Sequence, residues 1–219
     1  MTYRAFNPRK ARQRVKPSPG VAMARAAPDE AVQDAAARLR RLIRPVRIPA
    51  WEFDLPWDAL EAFLRGLERD FGAVEMEPDF QRSHAWSEDQ TRRFIEDALR
   101  GVCGPQHMVV CFNQPAQPGD LSAGQVLCLD GLRRMEAVLG FLAGRVLPFG
   151  LSVDDLRGTE FSHQSLGLYL RVRMYDFAYR HELLSHYLDL HAGRPQHSWA
   201  SLDNIRRLQM QAMPDIATS

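Results

Sequence analysis

Cysteine and long apolar runs are scarce in this chain, and each shortage excludes a class of protein. The three cysteines are an odd number without metal-ligand spacing, so we expect reduced thiols in a cytosol rather than a disulfide framework. No apolar run approaches the roughly 18 residues that span a bilayer, and the basic N-terminus lacks the apolar stretch of a secretory signal. A cytoplasmic protein without a membrane partner is therefore expected. The sequence also has no Walker loop, dinucleotide fingerprint or nucleophile elbow.

Charge is distributed unevenly, although the formal net charge is only +1. Residues 1–47 carry 12 Arg and Lys against 3 Asp and Glu, whereas the remaining 172 residues carry 16 against 24. We expect residues 1–20 to form an extended arm and residues 28–44 a helix that Pro45 ends. A basic segment beside an acidic body could bind nucleic-acid phosphates, or it could dock on acidic protein surface. The basic residues of the arm are Arg4, Arg9, Lys10, Arg12, Arg14 and Lys16.

The apolar pattern predicts a mixed α+β fold with few strands and many helices. The predicted strands are residues 46–53, 107–112, 125–129, 146–151 and 168–175. Helices are expected after Pro56, after an N-cap at Ser87, and over residues 132–143, 179–191 and 201–213. The segment between the second and third strands, rich in Gln, Pro and Gly, is predicted to be a surface loop.

The stretch Leu-Cys-Leu-Asp-Gly-Leu-Arg-Arg-Met-Glu-Ala, residues 127–137, is the most informative part of the chain. An acid, Asp130, and a flexible glycine, Gly131, end an apolar run, and Arg133 and Arg134 then open an amphipathic helix. Backbone N–H groups at a helix N-terminus favour an anion, and guanidinium groups match phosphate oxygens. Asp130 could hold a metal ion, activate water or cap the helix. The alternative is an N-cap aspartate, a turn glycine and two solvated arginines.

Two further segments carry candidate chemistry. Pro78-Asp79-Phe80-Gln81-Arg82, followed by Trp86, offers an amide and a guanidinium in a loop before a helix. The other interpretation makes the aromatic residues core anchors and has Gln81 and Arg82 bond the neighbouring backbone. Near the last helix, His197 and Ser198 could contact phosphate, act as acid–base groups or cap the helix. The remaining histidines are scattered, and no zinc site is predicted.

Together these segments, in this order, resemble the DGQQR-motif family, over residues 74–210. That family forms the N-terminal domain of GmrSD-type restriction proteins, occurs alone in many phage genomes, and belongs to the ParB/sulfiredoxin superfamily. Its P-x-x-Q-R…W motif falls on Pro78, Gln81, Arg82 and Trp86. Its acidic-glycine motif falls on Asp130, Gly131 and Arg134, and Leu132 and Arg133 replace its two glutamines. These replacements approach the ParB pattern G-x-R-R-x-x-A, which Gly131, Arg133, Arg134 and Ala137 meet. In the late segment Gly193, His197 and Ser198 match the short phage members, with His191 for Asn and Arg194 for the second Gly.

The resemblance implies a ParB/sulfiredoxin-like α+β fold, a small mixed sheet surrounded by helices, over residues 48–213. A basic arm and helix, residues 1–47, would precede this domain, and residues 214–219 would form a tail. It implies a phage or prophage protein in the bacterial cytoplasm that binds a nucleotide or DNA and is an NTPase, a nuclease-like enzyme or a phosphotransferase if catalytic. The implied ligand is an NTP with Mg²⁺. The implied catalytic residues are Asp130 and Arg134, and Asp130 would bind a metal ion or activate water if hydrolysis occurs. The implied phosphate-binding residues are Gln81, Arg82, Gly131, Arg133, Arg134, His197 and Ser198.

The replaced glutamines leave a second function open. Without that amide pair, the motif lacks side chains that could orient a water or read a base, whereas Arg133 adds anion binding. The rival hypothesis is a non-catalytic interaction protein that kept the fold and docks through its basic N-terminal segment. Its partner would be a host factor that it inhibits or a component of a viral assembly.

Overall fold

The fold is taken from a computed structural model, which describes residues 30–43, 45–81, 85–117, 119–122, 124–191 and 199–213. The chain divides into two units, Met1–Ile48 and Pro49–Ser219. The described part of the first unit consists of helix α1, Glu30–Ile43, and residues 45–48, which form neither helix nor strand. The predicted arm, residues 1–20, and the predicted tail, residues 214–219, lie outside the described residues.

The second unit is built on a mixed five-stranded sheet with the order β1-β5-β3-β4-β2. Its strands are β1 Trp51–Pro56, β2 Val74–Glu75, β3 Val109–Asn113, β4 Val126–Asp130 and β5 Tyr169–Tyr175. The β1–β5 and β3–β4 pairs are antiparallel, whereas the β5–β3 and β4–β2 pairs are parallel. Strands β3 and β4 are central and almost entirely buried, as expected of apolar runs covered on both faces.

Helices cover both faces of this sheet. Besides α1, the helices are α2 Leu60–Phe71, α3 Glu88–Leu99, α4 Leu132–Leu142, α5 Val153–Leu156, α6 Arg180–His191 and α7 Trp199–Ala212. Alternate residues of a strand point to opposite faces, and β4 separates accordingly. Val126 and Cys128 pack in a core with α2, α3 and α4. Leu127 and Leu129 pack in a second core with α6 and α7. The predicted mixed α+β class is thus confirmed.

Two predicted element boundaries reflect local chemistry. The N-cap predicted at Ser87 is confirmed: its hydroxyl accepts a hydrogen bond from the Gln90 N–H, and the Gln90 side chain accepts one from the Ser87 N–H. The strand predicted at 146–151 is wrong. Pro148 and Gly150 bound a single 3₁₀ turn there, because proline removes a donor that a strand would use.

A buried histidine ties a turn-rich loop to the start of α2. His163 lies against Trp57 and Phe141, and its Nε2 is 2.6 Å from Oδ1 of Asp58. Gln164 Nε2 donates to the other oxygen of Asp58 at 2.9 Å. Burial raises the pKa of the Asp58 carboxyl, but the hydrogen bonds from Gln164 and His163 outweigh it, so this pKa lies below its ordinary value.

Candidate functional site

The turn between β4 and α4 depends on Gly131. This residue is the N-cap of α4 and has a φ of 105°, in the left-handed region that favours glycine. A Cβ at this position would lie 2.5 Å from Cγ1 and 2.9 Å from Cα of Val110, so the backbone approaches β3 closely. The interpretation of Asp130 as an N-cap is therefore wrong: it is the last residue of β4, and α4 has no side-chain cap hydrogen bond. The first turn of α4 begins on a residue with no side chain.

Asp130 and Arg134, four residues apart, form a largely buried ion pair between the end of β4 and the first turn of α4. Arg134 Nη2 donates to both carboxylate oxygens at 3.0 Å each, and Nη1 donates to the Val109 carbonyl oxygen at 2.7 Å. The Arg134 side chain is 15 % exposed and that of Asp130 is 22 % exposed. Because Arg134 also bonds the backbone where β3 begins, the pair fastens the α4 turn to the central strands.

Arg133 is held differently, between two glutamates near the surface. Its Nη1 lies 2.7 Å from Oε2 of Glu136, one turn along α4, and its Nη2 lies 3.0 Å from Oε1 of Glu77. The Glu136 and Glu77 side chains are 50 % and 54 % exposed, whereas that of Arg133 is 21 % exposed. Its Nε is buried and has no hydrogen-bond partner among the described residues. Arg133 is thus a partly covered cation whose two partners reach into solvent.

The ion pair with Glu77 brings the second predicted segment next to the first. Residue 77 directly precedes Pro78, whose carbonyl oxygen accepts a hydrogen bond from the Gln81 N–H at 2.8 Å. The side-chain Oε1 of Gln81 is buried and has no hydrogen-bond partner among the described residues. Arg82 lies outside the described residues. Gln81 therefore lies in the loop whose Glu77 pairs with Arg133 in the first turn of α4.

The same loop is anchored on α6, which leads to the third segment. Phe80 is 2 % exposed and packs edge-on against Tyr187, with their ring centroids 5.2 Å apart. Arg180 pairs with Asp79 and lies over the Phe80 ring. Tyr187 in turn lies 4.2 Å from the ring centroid of the buried His191, which ends α6. The core-anchor interpretation of Phe80 is confirmed.

Several predicted site residues fall where the structure gives no description. His197 and Ser198 belong to residues 192–198, which join α6 to α7 and are not described. The same holds for the six basic residues of the arm. Their predicted roles stay predictions.

Sequence reasoning missed both acidic partners of Arg133, Glu136 and Glu77. Glu136 could have been found, because an acid three residues after an arginine on a helix faces it. Glu77 carried no such signal, since 56 residues separate it from Arg133. The backbone partner of Arg134, the carbonyl of Val109, could not be read from a side-chain pattern at all.

The other titratable groups near the turn do not supply a nucleophile or a metal site. Burial, with a smaller contribution from the charge of Asp130, raises the pKa of the Cys128 thiol far above its ordinary value. All three cysteines are free, as expected. Among the described residues there is no group of three or more His, Cys, Asp and Glu side chains that could hold a metal ion. In that same part of the chain, none of the helices has the length and hydropathy needed to cross a bilayer.

No family model, curated protein or solved structure matches this chain. The resemblance to the DGQQR-motif family therefore stays a prediction.

Proposed function

We propose that this protein binds the phosphate of a nucleotide or nucleic acid at the first turn of α4, within a ParB/sulfiredoxin-like fold. The observation that carries the proposal is the combination of a glycine N-cap with an arginine beside it. Gly131 leaves the first turn without a side-chain cap, and such a turn favours an anion through its N–H groups and the helix dipole. Arg133, two residues after Gly131, adds a guanidinium next to the loop that carries Gln81.

Arg133 is the better phosphate ligand of the two arginines. Its glutamate partners are about half exposed, so each pair is screened by water and costs little to exchange for a phosphate. Arg134 would have to leave a carboxylate and a backbone carbonyl that are both largely sheltered from water. We therefore assign phosphate contact to Arg133 and a positioning role in binding to Arg134. Arg82, His197 and Ser198, from the two neighbouring segments, would complete the phosphate site.

Hydrolysis of an NTP, cleavage of DNA or phosphotransfer is the finer part of the proposal and would use Asp130 and Arg134. The ion pair between Asp130 and Arg134 would first have to break. A resident Mg²⁺ does not fit the described residues, because both oxygens of Asp130 accept from Arg134 and no second carboxylate joins it. Mg²⁺ would enter with the triphosphate. The basic arm would supply DNA contacts whose affinity falls steeply with salt.

Nucleotide-dependent stabilisation tests the phosphate site. Thermal unfolding is measured with each of the four NTPs and Mg²⁺, on the wild type, on Arg133→Met and on the control Arg171→Met. Arg171 matches Arg133 because it also pairs with two acids, Glu52 and Asp54, and its side chain is 29 % exposed. It lies on β5, which β3 separates from β4.

A ligand at 100 times its dissociation constant stabilises a protein by about 2.7 kcal/mol. We expect the ligand to stabilise the wild type and Arg171→Met by a free energy of that order, seen as a rise in Tm. This stabilisation should be lost in Arg133→Met. The proposal is wrong if no NTP shifts the wild type or if Arg133→Met keeps the full shift.

The second candidate is the non-catalytic interaction protein that docks through its basic N-terminal segment. The mutual pairing of Asp130 and Arg134 favours it, because a carboxylate whose two oxygens are occupied is a poor base or metal ligand. Phosphate release separates the candidates. Nucleotide binding with no turnover above the uncatalysed rate supports the interaction protein, whereas turnover that Asp130→Ala abolishes supports the enzyme.

A further inference from the structure

We draw no further inference here: the strongest candidate, the apolar stripe that Val32, Leu39 and Ile43 form on the exposed face of α1, carries none, because nothing in the described part of the chain shows what covers it.

Discussion

Substituting alanine for Gly131 tests whether the α4 turn depends on close backbone approach. Two costs add at this position. Residue 131 has a φ of 105°, and a left-handed conformation costs a residue with a Cβ about 1–2 kcal/mol. The new Cβ would also lie 2.5 Å from Cγ1 of Val110, a distance that forces the neighbouring strand to move. Overpacking of this kind costs about 1–3 kcal/mol. The sum is about 2–5 kcal/mol.

Gly144, at the other end of α4, is the matched control. Its φ is 71°, but a Cβ there would meet nothing within 4 Å. Gly144→Ala should therefore carry the backbone cost alone, about 1–2 kcal/mol. Since 1 kcal/mol corresponds to about 2–4 °C in a domain of this size, we expect Tm to fall by about 10 °C in Gly131→Ala and about 4 °C in Gly144→Ala.

Urea unfolding followed by circular dichroism gives both free energies, and thermal scans give both Tm values. A second measurement isolates the contact: in a Val110→Ala background the clashing methyl is gone, so Gly131→Ala should cost less there than in the wild type. The reasoning is refuted if Gly131→Ala and Gly144→Ala lose equal stability, because the approach to β3 would then contribute nothing.

Three further substitutions probe the framework around the site. Arg134→Met should lower the free energy of unfolding by about 2–4 kcal/mol. A double-mutant cycle with Asp130→Ala should give a coupling energy between the two side chains of about 1–2 kcal/mol, and additive effects would contradict the ion pair. Asp58 has a lowered pKa, so its ionised form stabilises the fold above its ordinary pKa of 3.8 and this contribution is lost as pH falls through its pKa in the folded protein. A profile of Tm from pH 7 to 3 should therefore be flatter for Asp58→Asn than for the wild type. Parallel profiles would refute the assignment. Asn113 is fully buried and bonds both the N–H and the carbonyl of Phe177, so Asn113→Ala should cost about 2–4 kcal/mol in urea unfolding, and a loss below about 1 kcal/mol would show that water replaces the amide.

The central part of the fold could be predicted because its strands are buried on both faces. Continuous apolar runs bounded by turn residues gave β3 and β4 to within about two residues, and the alternation of residues 168–175 gave β5. The two-residue strand β2 was missed, since a stretch so short has no period. The strand order could not be predicted either, because β3 pairs with β5 across more than 50 residues and no local pattern records such a pairing.

The site was predictable only as far as its interactions are local. The spacing of Asp130 and Arg134 is four residues, and Arg133 and Glu136 are three apart, so both pairs were open to inspection of the sequence. The contact from Arg133 to Glu77 depends on how the chain returns to the sheet after α2. That contact brings the loop that contains Gln81 next to the α4 turn.

The two adjacent arginines form one feature in the sequence, but the helix separates their contacts. Consecutive residues point about 100° apart around a helix, and Arg133 and Arg134 accordingly have different partners. Arg134 points toward the sheet, where Asp130 and the Val109 carbonyl hold it in place. Arg133 points toward the surface, where two exposed carboxylates hold it loosely. A phosphate that reaches this turn would therefore exchange with the partners of Arg133 first. Loss of Arg133 should cost ligand affinity with little stability, and loss of Arg134 should cost stability whether or not a ligand binds.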